Sequence, residues 1–184
     1  VLAPISANSQ SWIGPAPFRD YHANLHPHTW HSWRDFGNGS LGNMGCHIMN
    51  HPYWALKLGS PSAVEVEELH GEHPACWPVG TRIRWEFPAR AGMPPVKVYW
   101  YDGLVKGTPY GKETVDLRWR HVVDSARNFP PIREELKKKY DRELPDEGSL
   151  LVGDKGMMTI DKHGEGFRMI PEAAHQAFPR PAKT

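Results

Sequence analysis

The chain has little of what several function classes require. Cysteine is scarce, with only Cys46 and Cys76 in 184 residues. Their spacing fits neither a redox pair nor a zinc knuckle, and a chain this long does not depend on a disulfide, so both are expected to be reduced. Charge of one sign is missing too: 22 basic against 21 acidic residues leave a formal net charge of +1. No long basic run is available to neutralise a row of phosphates, which argues against a nucleic-acid partner. No apolar run approaches the roughly 20 residues that a membrane helix needs. Val1 to Gln10 lacks the basic start and apolar centre of a signal peptide; the expectation is a cytoplasmic protein, or an exported one if a signal segment has been removed, with no membrane role. Covalent hydrolysis also has no local support, because no serine or cysteine sits in an elbow or dyad motif.

What is present is loop-forming and aromatic. Eighteen prolines and 17 glycines require much irregular chain. Tryptophan and histidine concentrate in the first half, and these side chains stack on sugar faces and move protons near neutral pH. Residues 1–36, with prolines at 4, 15, 17 and 27 and aromatics at no steady period, read as an extended arm. Residues 37–184 read as one α+β domain.

Within that domain Leu41, Met44, Ile48, Trp54, Ala55 and Leu58 form a roughly helical stripe over Ser40–Leu58, closed by Gly59 and Pro61. Pro52 either kinks this helix or divides it, since it removes a hydrogen bond and crowds the preceding turn. Strands are expected at Ala63–Leu69, Thr81–Phe87 and Val96–Tyr101, and a charged helix at Ile132–Tyr140 after two prolines. Ser149–Val152 and Met157–Ile160 flank Gly-Asp-Lys-Gly as a hairpin, with a further strand at Gly166–Ile170. Helices placed before and between antiparallel strands argue for an α+β fold, not for a parallel doubly wound sheet.

Gly37, Gly39 and Gly42 formally satisfy G-x-G-x-x-G. A dinucleotide loop needs an apolar strand just before the first glycine, whereas His31-Ser32-Trp33-Arg34-Asp35-Phe36 is not one. The other use of such glycines is to let backbone pass close to a partner and begin a helix. Downstream, Asn43, His47 and Asn50 fall at i, i+4 and i+7, a face suited to a hydroxylated ligand. The alternative is a hydrogen-bonded structural histidine with capping asparagines.

The run from Trp33 to His47, Trp-Arg-Asp-Phe-Gly-Asn-Gly-Ser-Leu-Gly-Asn-Met-Gly-Cys-His, resembles the substrate-domain signature of the glucose-fructose oxidoreductase and inositol dehydrogenase (Gfo/Idh/MocA) family. Trp12-Ile13-Gly14-Pro15-Ala16-Pro17, Trp54-Ala55-Leu56, Pro95-Val96, Trp100-Tyr101-Asp102-Gly103 and Gly153-Asp154-Lys155-Gly156 follow in the family's order. The resemblance implies the C-terminal domain of a dehydrogenase, of the dihydrodipicolinate-reductase-like kind, with an open, mostly antiparallel sheet and helices packed on one face. Its NAD or NADP would be bound mainly by an N-terminal Rossmann domain that is missing here; the family's Glu-Lys-Pro does not occur, and the terminal helical segment is expected to be short. The implied substrate is a sugar, polyol or related secondary alcohol, and homo-oligomers are expected.

By the same resemblance His47 matches the acid-base position, and Asn43 stands where the family has aspartate, so it can orient the ring but not supply charge. Trp33, Arg34, Asn50, Tyr101 and Asp102 are the expected substrate contacts, each with packing or ion pairing as its alternative. The isolated chain is not expected to bind NAD or turn over substrate. The competing reading is a non-catalytic carbohydrate-binding or assembly domain derived from that family. His22, His26, His28 and His31 could in principle surround zinc, but no acid or cysteine has diagnostic spacing and no metal is expected. Asn38-Gly39-Ser40 reads as a chance sequon.

Overall fold

In the computed structural model, residues 13–19, 25, 29–105 and 127–180 are described. Most of the expected arm lies outside them, as do His22, His26 and His28 of the histidine run. A 3-10 turn at Trp30–Ser32 precedes four helices, α1 (Gly39–Ile48), α2 (Asn50–Ala55), α3 (Ile132–Tyr140) and α4 (Glu172–Ala177). The strands are β1 (Ala63–His70), β2 (Gly80–Phe87), β3 (Val96–Gly103), β4 (Gly148–Gly153), β5 (Gly156–Asp161) and β6 (Phe167–Ile170). They form two three-stranded antiparallel sheets, ordered β1-β2-β3 and β4-β5-β6. The fold class is therefore α+β, with two small open sheets in place of one continuous sheet among the described residues. No helix of these residues is long and apolar enough to cross a membrane.

The chain divides into two compact units. The first comprises residues 1–43, 66–82 and 102–128. Its core is Ile13, Leu25, Trp33 and Cys76, with Trp30, Phe36 and Ala75 packed against them. Backbone bonds from Arg34 N–H to Ala75 C=O (3.0 Å) and from Trp77 N–H to Ser32 C=O (2.9 Å) tie the signature segment to residues 75–77. Proline- and glycine-rich chain thus gains a core without regular secondary structure, because its polar backbone is paired locally while the aromatics are removed from water. Both cysteines are free, Cys76 buried and Cys46 exposed.

The second unit comprises residues 44–65, 83–101 and 129–184. In its sheet β4 pairs with β5 from Gly148↔Asp161 to Gly153↔Gly156, so that Asp154-Lys155 is a two-residue hairpin loop, and β5 pairs with β6 from Met157↔Ile170 to Ile160↔Phe167. Alternation puts Leu151, Met158 and Met169 on one face and Val152, Met157 and Ile170 on the other. Apolar residues on both faces, with Ile160 and Ile170 buried, explain why this sheet reads as short unbroken apolar runs. α3 buries Leu136 and exposes Glu134, Glu135, Lys137, Lys138 and Lys139. It stops at Asp141, which adopts the left-handed conformation (φ 47°).

Candidate functional site

The break between α1 and α2 creates the setting for His47. Helical bonding continues through Met49, whose N–H reaches Gly45 C=O (2.9 Å) and whose C=O receives Tyr53 N–H (2.9 Å). Pro52 has no N–H, so the Ile48 carbonyl one turn earlier has no helical donor. Ser149 at the start of β4 supplies one: its Oγ donates to Ile48 O at 2.8 Å. The residue that interrupts the helix therefore also exposes the acceptor by which the β4–β5 hairpin attaches beside the last turn of α1.

That attachment brings the β5–β6 connection to His47. Asp161 closes this turn, its Oδ1 accepting the backbone N–H groups of His163 (3.1 Å) and Glu165 (2.9 Å). Partial desolvation pushes the Asp161 carboxyl up, but the N–H groups of Glu165, His163, Gly166 and Gly164 more than offset this and hold it below its ordinary value. The His163 ring stands edge-on to His47, with centroids 5.9 Å apart and planes at 73°. His51 lies against the same turn, where any side chain at Gly164 (φ +75°) would collide with its ring. His51 Nδ1 is buried without a hydrogen-bond partner. His47 and His163 are both exposed.

The structure thus assembles three imidazoles of which the sequence argument found one. Nothing local marks His51 or His163. The Asp161…Gly164…Gly166 turn is legible as a turn, but its meeting with α1 depends on the bond made by Ser149. Among the described residues no group of three or more His, Cys, Asp or Glu side chains could hold a metal ion.

The remaining expected site residues have other surroundings. Asn43 is exposed one turn before His47 on α1, and Asn50 is exposed at the start of α2. Trp54, expected in the apolar stripe, is 80% exposed. Trp33 is 3% exposed within the core, with the Arg19 guanidinium 5.2 Å from its ring centroid, so its faces are packed. Arg34 donates from Nε to Cys76 O (3.0 Å) and lies 4.5 Å over the Trp77 ring. The Asp102 carboxylate accepts from Thr81 N–H (2.7 Å) and Thr81 Oγ1 (2.8 Å), which makes it a brace between β2 and β3. Tyr101 is half-buried beside Tyr99, ring centroids 6.5 Å apart.

The glycine run has a structural explanation. A 3-10 turn, not a strand, precedes Gly37, and the Gly37 carbonyl accepts the Trp77 indole N–H at 2.7 Å. Gly39 has φ +71°, and a Cβ there would come 3.1 Å from the Trp77 ring. These glycines let a helix begin against an indole, and the described residues offer no dinucleotide cradle at this point.

A helix pair followed by small antiparallel sheets, with an imidazole exposed at the end of the first helix, defines an α+β domain. Residues 2–88, a little under half the chain, match the family model described as "Oxidoreductase family, C-terminal alpha/beta domain" of the Gfo/Idh/MocA group. The resemblance carried by the Trp33–His47 run is borne out over that stretch. A comparison with curated proteins finds no match to the chain.

Proposed function

We propose that this chain is the substrate-side domain of an NAD(P)-dependent oxidoreductase acting on a sugar, polyol or related secondary alcohol, with His47 as its proton-transfer group. The observation that carries this reading is the placement of His47. It is exposed in the last turn of α1, edge-on to His163, on a turn fixed by Asp161. An imidazole so placed can accept the hydroxyl proton of an alcohol as its carbon is oxidised and return it in the reverse direction. Position 43 holds no carboxylate, and the His163 ring is the neighbour that stands edge-on to His47. The family is generally NAD(P)-dependent, and the cofactor falls to a partner domain of Rossmann type, which this reading requires. Asn50, exposed at the start of α2, is the polar residue this reading assigns to hydroxyl groups. The cytoplasmic expectation and the division into arm and domain at residue 36 remain part of the same proposal.

Self-association is the second part of the proposal. β1 is an edge strand, and Val64 and Val66, two residues apart on one face of it, are 58% and 52% exposed. Apolar side chains on an edge strand favour pairing with another copy. This observation also suits the alternative of a non-catalytic assembly domain.

The test is a titration of the chain with myo-inositol followed by the imidazole proton resonances. The proposal expects saturable shifts at His47 and His163 with His175 unmoved. Shifts confined to other residues would leave His47 without a substrate role.

A further inference from the structure

We propose that Arg34 anchors an oxyanion site, and that the ligand it takes is the carboxylate of a polyhydroxy acid. The hydroxylated character of that ligand rests on the reading above; the anion site stands on its own geometry within the first unit. Arg34 is exposed, yet its guanidinium is fixed from two directions. Nε donates to Cys76 O at 3.0 Å, and the plane lies 4.5 Å over Trp77. Trp77 is itself held by its indole bond to Gly37 O (2.7 Å) and by the bare surface of Gly39. One of five N–H donors is used by Cys76 O, which leaves the four on the two Nη atoms, the fork that matches a carboxylate edge, for a ligand.

Most of the other described arginines are paired with carboxylates; Arg90 is not, but its Nε and Nη1 already donate to the carbonyls of Leu56, Pro88 and Pro94, whereas only Nε of Arg34 is so used. Arg19 is paired with Asp35, Arg82 with Glu67 and Glu68, Arg84 with Glu65 and Glu86, and Arg168 with Glu172. Arg34 has no carboxylate partner among the described residues, and the neighbouring Asp35 is taken by Arg19. A solvated surface arginine ordinarily keeps its rotamer freedom, which is lost here without any opposing charge. Preorganisation of that kind lowers the ordering cost of binding an anion.

The test is calorimetric titration of the chain with D-gluconate, D-glucose and inorganic phosphate, repeated with Arg34→Gln and Arg34→Lys. Gluconate is expected to bind with Kd of about 1 mM, a free energy reachable by one charged fork with a few hydroxyl contacts. Arg34→Gln should weaken it roughly tenfold or more, and Arg34→Lys less, because lysine keeps the charge and loses the two-point fit. Glucose should bind more weakly and be indifferent to both substitutions. Gluconate binding unchanged in Arg34→Gln, or equal affinity for glucose, overturns the proposal. Phosphate binding at Arg34 without gluconate binding overturns the carboxylate assignment. If Arg34→Gln does not fold, the wild-type Arg34 Nε–H resonance decides: it must shift on adding gluconate, and a stationary signal is a refutation. Failure here with His47 still perturbed by myo-inositol leaves the proposed function standing.

Discussion

The segment around Trp33 and the end of α1 around His47 belong to one signature run, and the structure uses them in opposite ways. Around Trp33 the aromatic rings turn inward, the glycines carry an indole, and Arg34 bonds to backbone. Around His47 the helix presents its imidazole outward, and residues distant in sequence come to it. The difference teaches that a run of family-matching residues is not one site. Part of it builds a core without regular elements, and part of it keeps its imidazole exposed.

The comparison breaks most visibly if Trp33 is dispensable. Trp33→Ala should cost about 3–5 kcal/mol of stability, as expected for a large aromatic removed from a packed core. Chemical denaturation measures it, and a loss under about 1 kcal/mol would return the Trp33 ring to the list of ligand-contacting groups. Ser149→Ala is a milder change on the other side of the comparison. It strands the Ile48 carbonyl and should cost roughly 1–2 kcal/mol, with the His163 resonances moving as the hairpin loosens from α1. Unaltered His163 resonances would mean that the turn reaches His47 without that bond.

The smallest effect is that of pH on the turn itself. Because the Asp161 carboxyl is held below its ordinary value, the folded turn favours the ionised form. Its contribution is complete above the unfolded carboxylate value of about 4 and fades as pH falls below that toward the folded value. The amide resonances of His163 and Glu165 should therefore shift in that acidic window in the wild type and stay level in Asp161→Asn. A shift centred above pH 5 in the wild type would mean that the backbone donors do not set this carboxyl.

Much of the fold was legible from sequence because local rules and tertiary structure agree. The charged helix Ile132–Tyr140 matches its expected bounds, and the Gly-Asp-Lys-Gly turn closes a hairpin as such a turn should. Pro52 shows how far local reasoning reaches: it announced a break in the helix, but the use of the freed carbonyl depends on Ser149, about a hundred residues away. The histidine cluster was illegible for the same reason, since a side chain meeting across two elements leaves no periodic trace. Trp54 misled because helical spacing marks a face without saying whether anything covers it, and here it is 80% exposed.

The most direct test of the account compares turnover and melting temperature for His47→Ala in the two-domain oxidoreductase that the proposed function requires. The account predicts turnover lowered by roughly 10²- to 10⁴-fold, the usual scale for a lost acid or base, with melting temperature and cofactor affinity unchanged, because an exposed imidazole supports little packing. Unchanged turnover, or a domain that unfolds, would make His47 structural and contradict the division of roles between the two regions.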